Sequence, residues 1–372
     1  MTTNEDVSGG KYRVGVVFWS KQDGIATVIC DELTALGHKP VPFFYQSELP
    51  DNVDVIFSFG PYGPFEYLLS RLNALPRSKK PILTHWNTEG IPDLRIPWVV
   101  MFGAGLLRAW AERLRFSDGV GRKLVTGRMM KPLHKRMTRF LYFGSYYYAY
   151  RAGLMEVLAD SSAVYADLHV RHGLPTVVAP WGATRRWYAD LGYERDIDVL
   201  WMGKRGSKRR SMLLDMVRAR LERYGVKMLV VDGEERPFIY DQERTEILNR
   251  SKITLNLTRT WYDDNYSRFA LAAPNRSLIV SEPLLPHCPH FRPGEHYIAA
   301  PASELADQIM YYLAHEDERM AIVERAYQLM MSELSFEKSI AAIMTAVHEA
   351  RLNPDVRSLK GKSVWWRKIV PA

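Results

Sequence analysis

With 372 residues, 47% of them apolar and 25% charged, the chain is too long for one ordinary core and has neither a disordered nor a fibrous composition. Two cysteines, Cys30 and Cys288, exclude a disulfide framework or a Cys-rich zinc site. The net charge of +8 is uneven: between Arg108 and Arg139 there are ten basic residues against Glu112 and Asp118, so this stretch alone accounts for the excess.

The polar start MTTNEDVSGGKYR holds no apolar signal core, and no window approaches the ~18 uninterrupted apolar residues of a spanning helix. A cytoplasmic location is expected. Lys11–Ser20 reads as a first strand. Asp23 is a helix N-cap ahead of Ile25, Val28, Ile29, Leu33 and Leu36 at helical spacing, and Gly37 ends that helix. Val41–Tyr45 and Val53–Phe59 read as strands, Phe65–Leu75 as a helix and Ile82–Thr84 as a short strand before HWNTEG. This alternation continues through Leu154–Ala166 and Thr176–Ala179, and implies a parallel sheet covered on both faces. The first unit ends near Pro180, interrupted by a basic helical insertion over 105–150.

PWGATRRWYADLG then reads as a crossing to a second unit. Its first strand starts at Asp198 and is followed by a charged turn and a helix with Leu213, Leu214, Val217 and Leu221 on one face. Lys227–Val231, Ile253–Leu257 and Ser277–Ser281 supply further strands. Glu304–Leu313, Glu318–Met331 and Phe336–Arg351 are helical by period. The expected layout is 1–180, 181–335 and a closing helix with a basic aromatic tail over 336–372.

Three places carry chemistry in their residues alone. Gly203-Lys204-Arg205-Gly206-Ser207-Lys208-Arg209-Arg210 lies between a strand and a helix, where backbone amides, a helix start and cations can meet an anion. Lys204, Arg205 and Lys208 are the candidates, with no choice among them, against the alternative of a solvated helix start. Asn256, Thr258 and Arg259 leave the strand ITLNL at its carboxyl end, where ligands of open α/β sheets collect. His85 and Glu89, after the short strand at Ile82, are the candidate catalytic pair for accepting a proton or holding hydroxyls. A structural histidine is the competing reading.

The stretch EILNRSKITLNLTRTWYDDNYSRFALAAPNRSLIVSEP, with FRPGEHYIAAPASELADQI after it, resembles the donor-binding half of the group 1 (family 4-like) glycosyltransferases, particularly the CgeB-like branch. The resemblance covers the last 190 residues or so well and the first half in outline. It implies an α/β fold of two Rossmann-like domains facing across a cleft (GT-B), with the C-terminal helix returning towards the N-terminal domain. It also implies a nucleotide-diphosphate sugar as co-substrate, no further cofactor, and an acceptor hydroxyl in a cell-envelope glycan, glycolipid or natural product. Asp263-Asp264 is a bare pair in a long loop rather than a DxD-like motif, so no metal is expected.

By that resemblance Ser267 and Arg268 face the donor diphosphate, and Gly203 belongs to the loop that meets it. Transfer with retention needs no dedicated base, because the leaving phosphate handles the proton of the incoming alcohol. Trp19, Ser20 and Tyr62, in loops after the first and third strands, fall on the acceptor side. The chain also departs from the pattern. Where group 1 enzymes carry Phe-Glu-Ala-Leu-Ala-Ala-Gly, with an acid for the ribose, it reads Phe269-Ala270-Leu271-Ala272-Ala273-Pro274-Asn275. Glu282 is the nearest carboxylate able to take a hydroxyl.

The basic segment 108–139, with aromatics interleaved, and the tail 360–368 around Trp365 and Trp366 suit an anionic membrane face, on a peripheral protein. Packing of the insertion on its own domain, or in a homodimer, is the competing reading. A nucleic-acid-binding protein using the Arg-rich segment is the alternative from another class, although no reader motif appears and no nucleic acid is expected. A non-catalytic GT-B scaffold is a third.

Overall fold

A computed structural model of the chain describes residues 10–20, 23–60, 65–88, 93–116, 143–260, 266–284 and 290–353. Tyr62, Glu89, the Asp263-Asp264 pair, most of the basic segment and the tail 360–368 lie outside the described residues. Residues up to Ala179 and those from Ile340 form one unit, and Pro180–Ser339 the other.

In the first unit the order is β1 (Arg13–Phe18), α1 (Gly24–Ala35), β2 (Lys39–Phe44), β3 (Val55–Gly60), α2 (Phe65–Ala74) and β4 (Ile82–Asn87). Then come α3 (Trp98–Phe116), α4 (Phe143–Arg151), β5 (Val157–Asp160), α5 (Ala163–Arg171) and β6 (Thr176–Val178). The strands form one parallel sheet in the order β2, β1, β3, β4, β5, β6. Its central strands β3 and β4 are buried at every position, which explains why neither alternates between apolar and polar residues: a parallel sheet covered on both faces leaves no polar side. Asp23 caps α1, its Oδ1 accepting the Ala26 amide at 3.1 Å.

Two close approaches fix the helices over this sheet. A Cβ on Gly105 of α3 would lie 2.4 Å from the Gly144 amide nitrogen of α4, and a Cβ on Gly144 would lie 2.4 Å from the amide nitrogen of Leu106. The two backbones therefore touch because both positions lack side chains. Arg113 of α3 reaches across to the buried Glu66 of α2 at 2.6 Å and lies over the Tyr148 ring of α4.

The polar residues of β4 are absorbed into the interior. His85 Nδ1 meets Ser58 Oγ at 2.8 Å and its Nε2 meets Tyr146 Oη at 3.2 Å. Asn87 donates to Asp160 at 2.7 Å, and Tyr147 Oη lies 3.1 Å from His169 Nδ1. Burial holds both His85 and His169 down to a pKa of about 3, so both are neutral imidazoles in the fold. An unfolded histidine protonates near pH 6.5, the buried ones not until about 3. Their contribution is whole above that upper value and is lost as pH falls towards the lower one, at about 1.4 kcal/mol per pH unit for each histidine. Denaturant midpoints should therefore drop between pH 7 and pH 5, and His169→Gln should flatten the slope. An unaltered slope in that variant would show that His169 does not titrate on unfolding.

The second unit runs β7 (Ile197–Met202), α6 (Lys208–Glu222), β8 (Met228–Val231), α7 (Asp241–Arg250), β9 (Ser251–Asn256), α8 (Phe269–Ala272) and β10 (Leu278–Ser281). It continues with β11 (Ile298–Ala299), α9 (Leu305–Ala314) and α10 (Glu316–Ser332), and α11 (Phe336–Leu352) follows. The strands are again parallel, in the order β11, β10, β9, β7, β8. One face packs Trp201, Leu214, Val217 and Leu221 with Leu305 and Ile309; the other packs Leu200, Leu248, Phe269 and Ile279 with Met330. Helix α11 starts in this unit, with Phe336 edge-on to Trp181 and Trp187, while its residues from Ile340 group with the first unit. There His348 meets Tyr12 Oη at 2.5 Å and Arg351 pairs with Asp54 at 3.0 Å.

Candidate donor site at the strand ends of the second unit

Because all its strands run the same way, the carboxyl ends Met202, Val231, Asn256 and Ser281 share one edge of the second sheet. The chain leaves β7 towards β8 on one side and leaves β9 towards β10 on the other. The strand order therefore reverses between β7 and β9, and the crevice outside such a point is where open α/β sheets bind ligands.

Arg268 lies across that point. Its Nε donates to the Met202 carbonyl at 2.8 Å, its Nη1 donates to Asn256 Oδ1 at 2.9 Å, and its guanidinium carbon stands 5.7 Å from the Trp201 ring centroid. Asn256 is oriented in turn by donating Nδ2 to Ser281 Oγ at 2.9 Å, and Ser281 donates to the Glu282 carbonyl at 2.7 Å. Gly203 makes room for the fork. A Cβ there would sit 2.6 Å from Arg268 Nη2, and its φ of +129° is one that side-chain-bearing residues rarely adopt.

A second cation reaches the same edge. Arg209, in the first turn of α6, pairs through Nη2 with Glu282 Oε1 and donates Nη1 to Glu282 Oε2, to the Thr258 carbonyl and to Thr258 Oγ1, each at 3.1 Å. Glu282 also accepts the Thr258 amide and hydroxyl at 2.9 Å, so this buried carboxylate is held by four donors on two residues. Ser207 caps α6 by accepting the Arg210 amide, and its hydroxyl donates to the Arg259 carbonyl at 3.4 Å. Gly203, Gly206, Ser207, Arg209, Asn256, Thr258, Arg259, Arg268 and Glu282 thus converge on one edge, with Ser267 beside Arg268 and half-buried.

Among the three cations left open by the sequence, Arg205 turns to a different task. Its Nε donates to Asp232 at 2.8 Å, Nη1 to Asp215 at 2.7 Å and Nη2 to Glu235 at 2.7 Å. Those contacts with Asp215 and Asp232 raise its pKa further. Burial pushes the Asp232 carboxyl up, but Arg205 and the Glu235 and Glu234 amides outweigh it and leave it below the usual range. A phosphate would have to replace charged hydrogen bonds worth about 1.5–3 kcal/mol each, so Arg205 pins the loop after β8 to α6. Lys204 and Lys208 are exposed. Arg209 escaped the sequence reading because four consecutive basic or polar residues at a helix start look alike until the helix phase is known.

Glu282 is correspondingly engaged by Arg209 and Thr258. Ala270, which stands where the related pattern has its acid, is buried, and the neighbouring Phe269 is fully buried among Tyr266, Phe291 and Tyr297 rings.

In the first unit the strand order reverses between β1 and β3. Trp19 closes that point, its indole nitrogen donating to the Phe59 carbonyl at 2.8 Å, and Ser20 beside it is exposed. His85 differs from expectation. Strand β4 runs past Thr84 to Asn87, so His85 stands inside the strand with no exposed surface, against the Phe65 ring at 4.4 Å between centroids. It can reach an acceptor only through another group.

The comparisons with known proteins agree with this architecture. Sucrose-phosphate synthase from Thermosynechococcus elongatus aligns over 94% of this chain and 100% of its own at 9% identity and a TM-score of 0.54. Anabaena HepE, solved with UDP-glucose, aligns over 91% and 100% at 9% identity and 0.53. The fold is that of the GT-B glycosyltransferases. S. aureus TarM aligns over 78% of this chain at 10% identity and 0.50, and the chain spans 54% of that structure's length. At such identities these likenesses speak to fold. Residues 209–345, from the first turn of α6 into α11, match the family model described as Glycosyl transferase-like. No curated protein sequence matches the chain.

Proposed function

We propose that the protein transfers a sugar from a nucleoside diphosphate donor to an acceptor hydroxyl, with retention at the anomeric carbon. The observation that carries this reading is Arg268, held across the switch point of the second unit by a backbone carbonyl and an oriented amide. A guanidinium fixed in that way offers a planar fork to a diphosphate without losing rotamer freedom on binding.

As the bond between the anomeric carbon and the β-phosphate oxygen breaks, negative charge grows on the departing diphosphate. Arg268 and the start of α6 stabilise that charge where it develops, which is the larger part of what such an enzyme must do. The alcohol attacks from the same face of the sugar and gives its proton to the leaving phosphate. Glu282, braced by Arg209, holds a hydroxyl of the sugar or the ribose, in the role of the acid that is absent at Ala270. Trp19 and Ser20 line the acceptor side. The acceptor class is an alcohol of a glycan, a glycolipid or a small natural product.

The missing acid at Ala270 also favours a second reading, in which the site binds a sugar nucleotide and transfers nothing. A thermal-shift series with UDP, GDP, ADP, TDP and their sugars tests the common part, because a ligand of the folded state raises the melting temperature. UDP-glucose, the ligand named for HepE, is the first donor to try. One nucleotide family should raise the midpoint, and donor hydrolysis or transfer should accompany it. A shift without turnover across many acceptors selects the second reading; no shift with any nucleotide removes both.

A further inference from the structure

Helix α3 presents two opposite characters. Met101, Gly105, Ala109 and Glu112 are buried on one side, where Gly105 meets Gly144 of α4 backbone to backbone. Val99, Val100, Leu107 and Trp110 lie on the other, 74%, 55%, 60% and 51% exposed. At 3.6 residues per turn, positions 99, 100, 103, 107 and 110 fall within about a third of the helix circumference. No other described helix leaves a comparable row of large apolar side chains in water.

We infer that this face of α3 docks on the surface of an anionic lipid bilayer. The charge of the chain directly following α3 selects that occupant. Residues 117–139 carry seven basic residues against Asp118 alone, enough to draw a protein to acidic headgroups while an apolar face enters the interface. A tryptophan at the end of the row suits the headgroup boundary, where an apolar ring with one polar edge is most stable. Among the described residues no helix is long and apolar enough to cross a membrane, so α3 lies on the bilayer rather than through it. The surface uses none of the residues assigned to the donor, and its failure would leave the transfer reading untouched.

The test is co-sedimentation of the full chain with vesicles of phosphatidylglycerol and phosphatidylcholine in equal parts, and with phosphatidylcholine alone. Wild type should sediment with the acidic vesicles and stay with the supernatant of the neutral ones. Raising salt from about 0.1 M to about 1 M, which shortens the screening length from about 10 Å to about 3 Å, should weaken binding. Leu107→Glu with Trp110→Glu should lower the bound fraction about tenfold or more while leaving the circular-dichroism melting curve unchanged, since both side chains are exposed. The inference is overturned if wild type ignores acidic vesicles or binds neutral ones as well, or if the double variant binds like wild type. It is equally overturned if gel filtration shows a wild-type dimer that the double variant splits, because a second copy would then cover the face.

Discussion

Arg268→Ala should abolish the nucleotide-induced thermal shift and reduce transfer about 100- to 1,000-fold, the usual loss when one fixed donor to a developing oxyanion is removed. Arg268 bridges the carboxyl ends of β7 and β9 through the Met202 carbonyl and Asn256 Oδ1, and Gly203 leaves its Nη2 room to lie against the backbone. Arg268→Lys keeps a charge but neither the fork nor both anchors, so it should recover only a small part of the activity. Arg205→Ala is the contrasting variant. It removes contacts to Asp232, Asp215 and Glu235, so it should lower the melting temperature while preserving the shift by nucleotide. If Arg205→Ala loses nucleotide binding and Arg268→Ala keeps it, the two arginines have been assigned the wrong way round.

The largest effect on stability should come from Gly144→Val. The new side chain would drive into the backbone of Leu106 and Gly105, so α3 and α4 must separate. Overpacking of this kind costs about 1–3 kcal/mol by itself. Helix α4 also carries Tyr146 and Tyr147, whose hydroxyls meet His85 and His169 in the interior, and buried groups left without a partner cost about 1–3 kcal/mol each. A loss of about 4 kcal/mol or more is expected, enough to leave the chain insoluble or largely unfolded. Chemical denaturation, or the soluble yield where no folded protein remains, measures it. Near-wild-type stability would mean that the two helices do not touch.

Strands were legible wherever burial on both faces produced an apolar run, as in β3 and in DVLWM at the start of the second unit. The end of β4 was not, because His85 and Asn87 look like loop residues until Ser58, Tyr146 and Asp160 are seen to satisfy them. Helix α7 left little trace: DQERTEILNR buries Thr245, Leu248 and Asn249, so its inner face is partly polar and makes no apolar stripe. Strand β11 has two residues, too few for any period.

The candidate site divides in the same way. Asn256 and Arg268 could be named from strand ends and family likeness. Arg205 lies in the loop before α6 and Arg209 in its first turn, and which way each points is a matter of backbone geometry that composition does not encode. The pairing of Arg209 with Glu282 joins residues 73 apart in the chain, and nothing local announces it.

The most direct measurement is a crystal structure of the protein soaked with the nucleoside diphosphate that gives the largest thermal shift. Diphosphate oxygens are expected within hydrogen-bond reach of the Arg268 guanidinium, over Gly203 at the carboxyl ends of β7 and β9. A nucleotide bound at another place, with Arg268 still turned only to Met202 and Asn256, would contradict it.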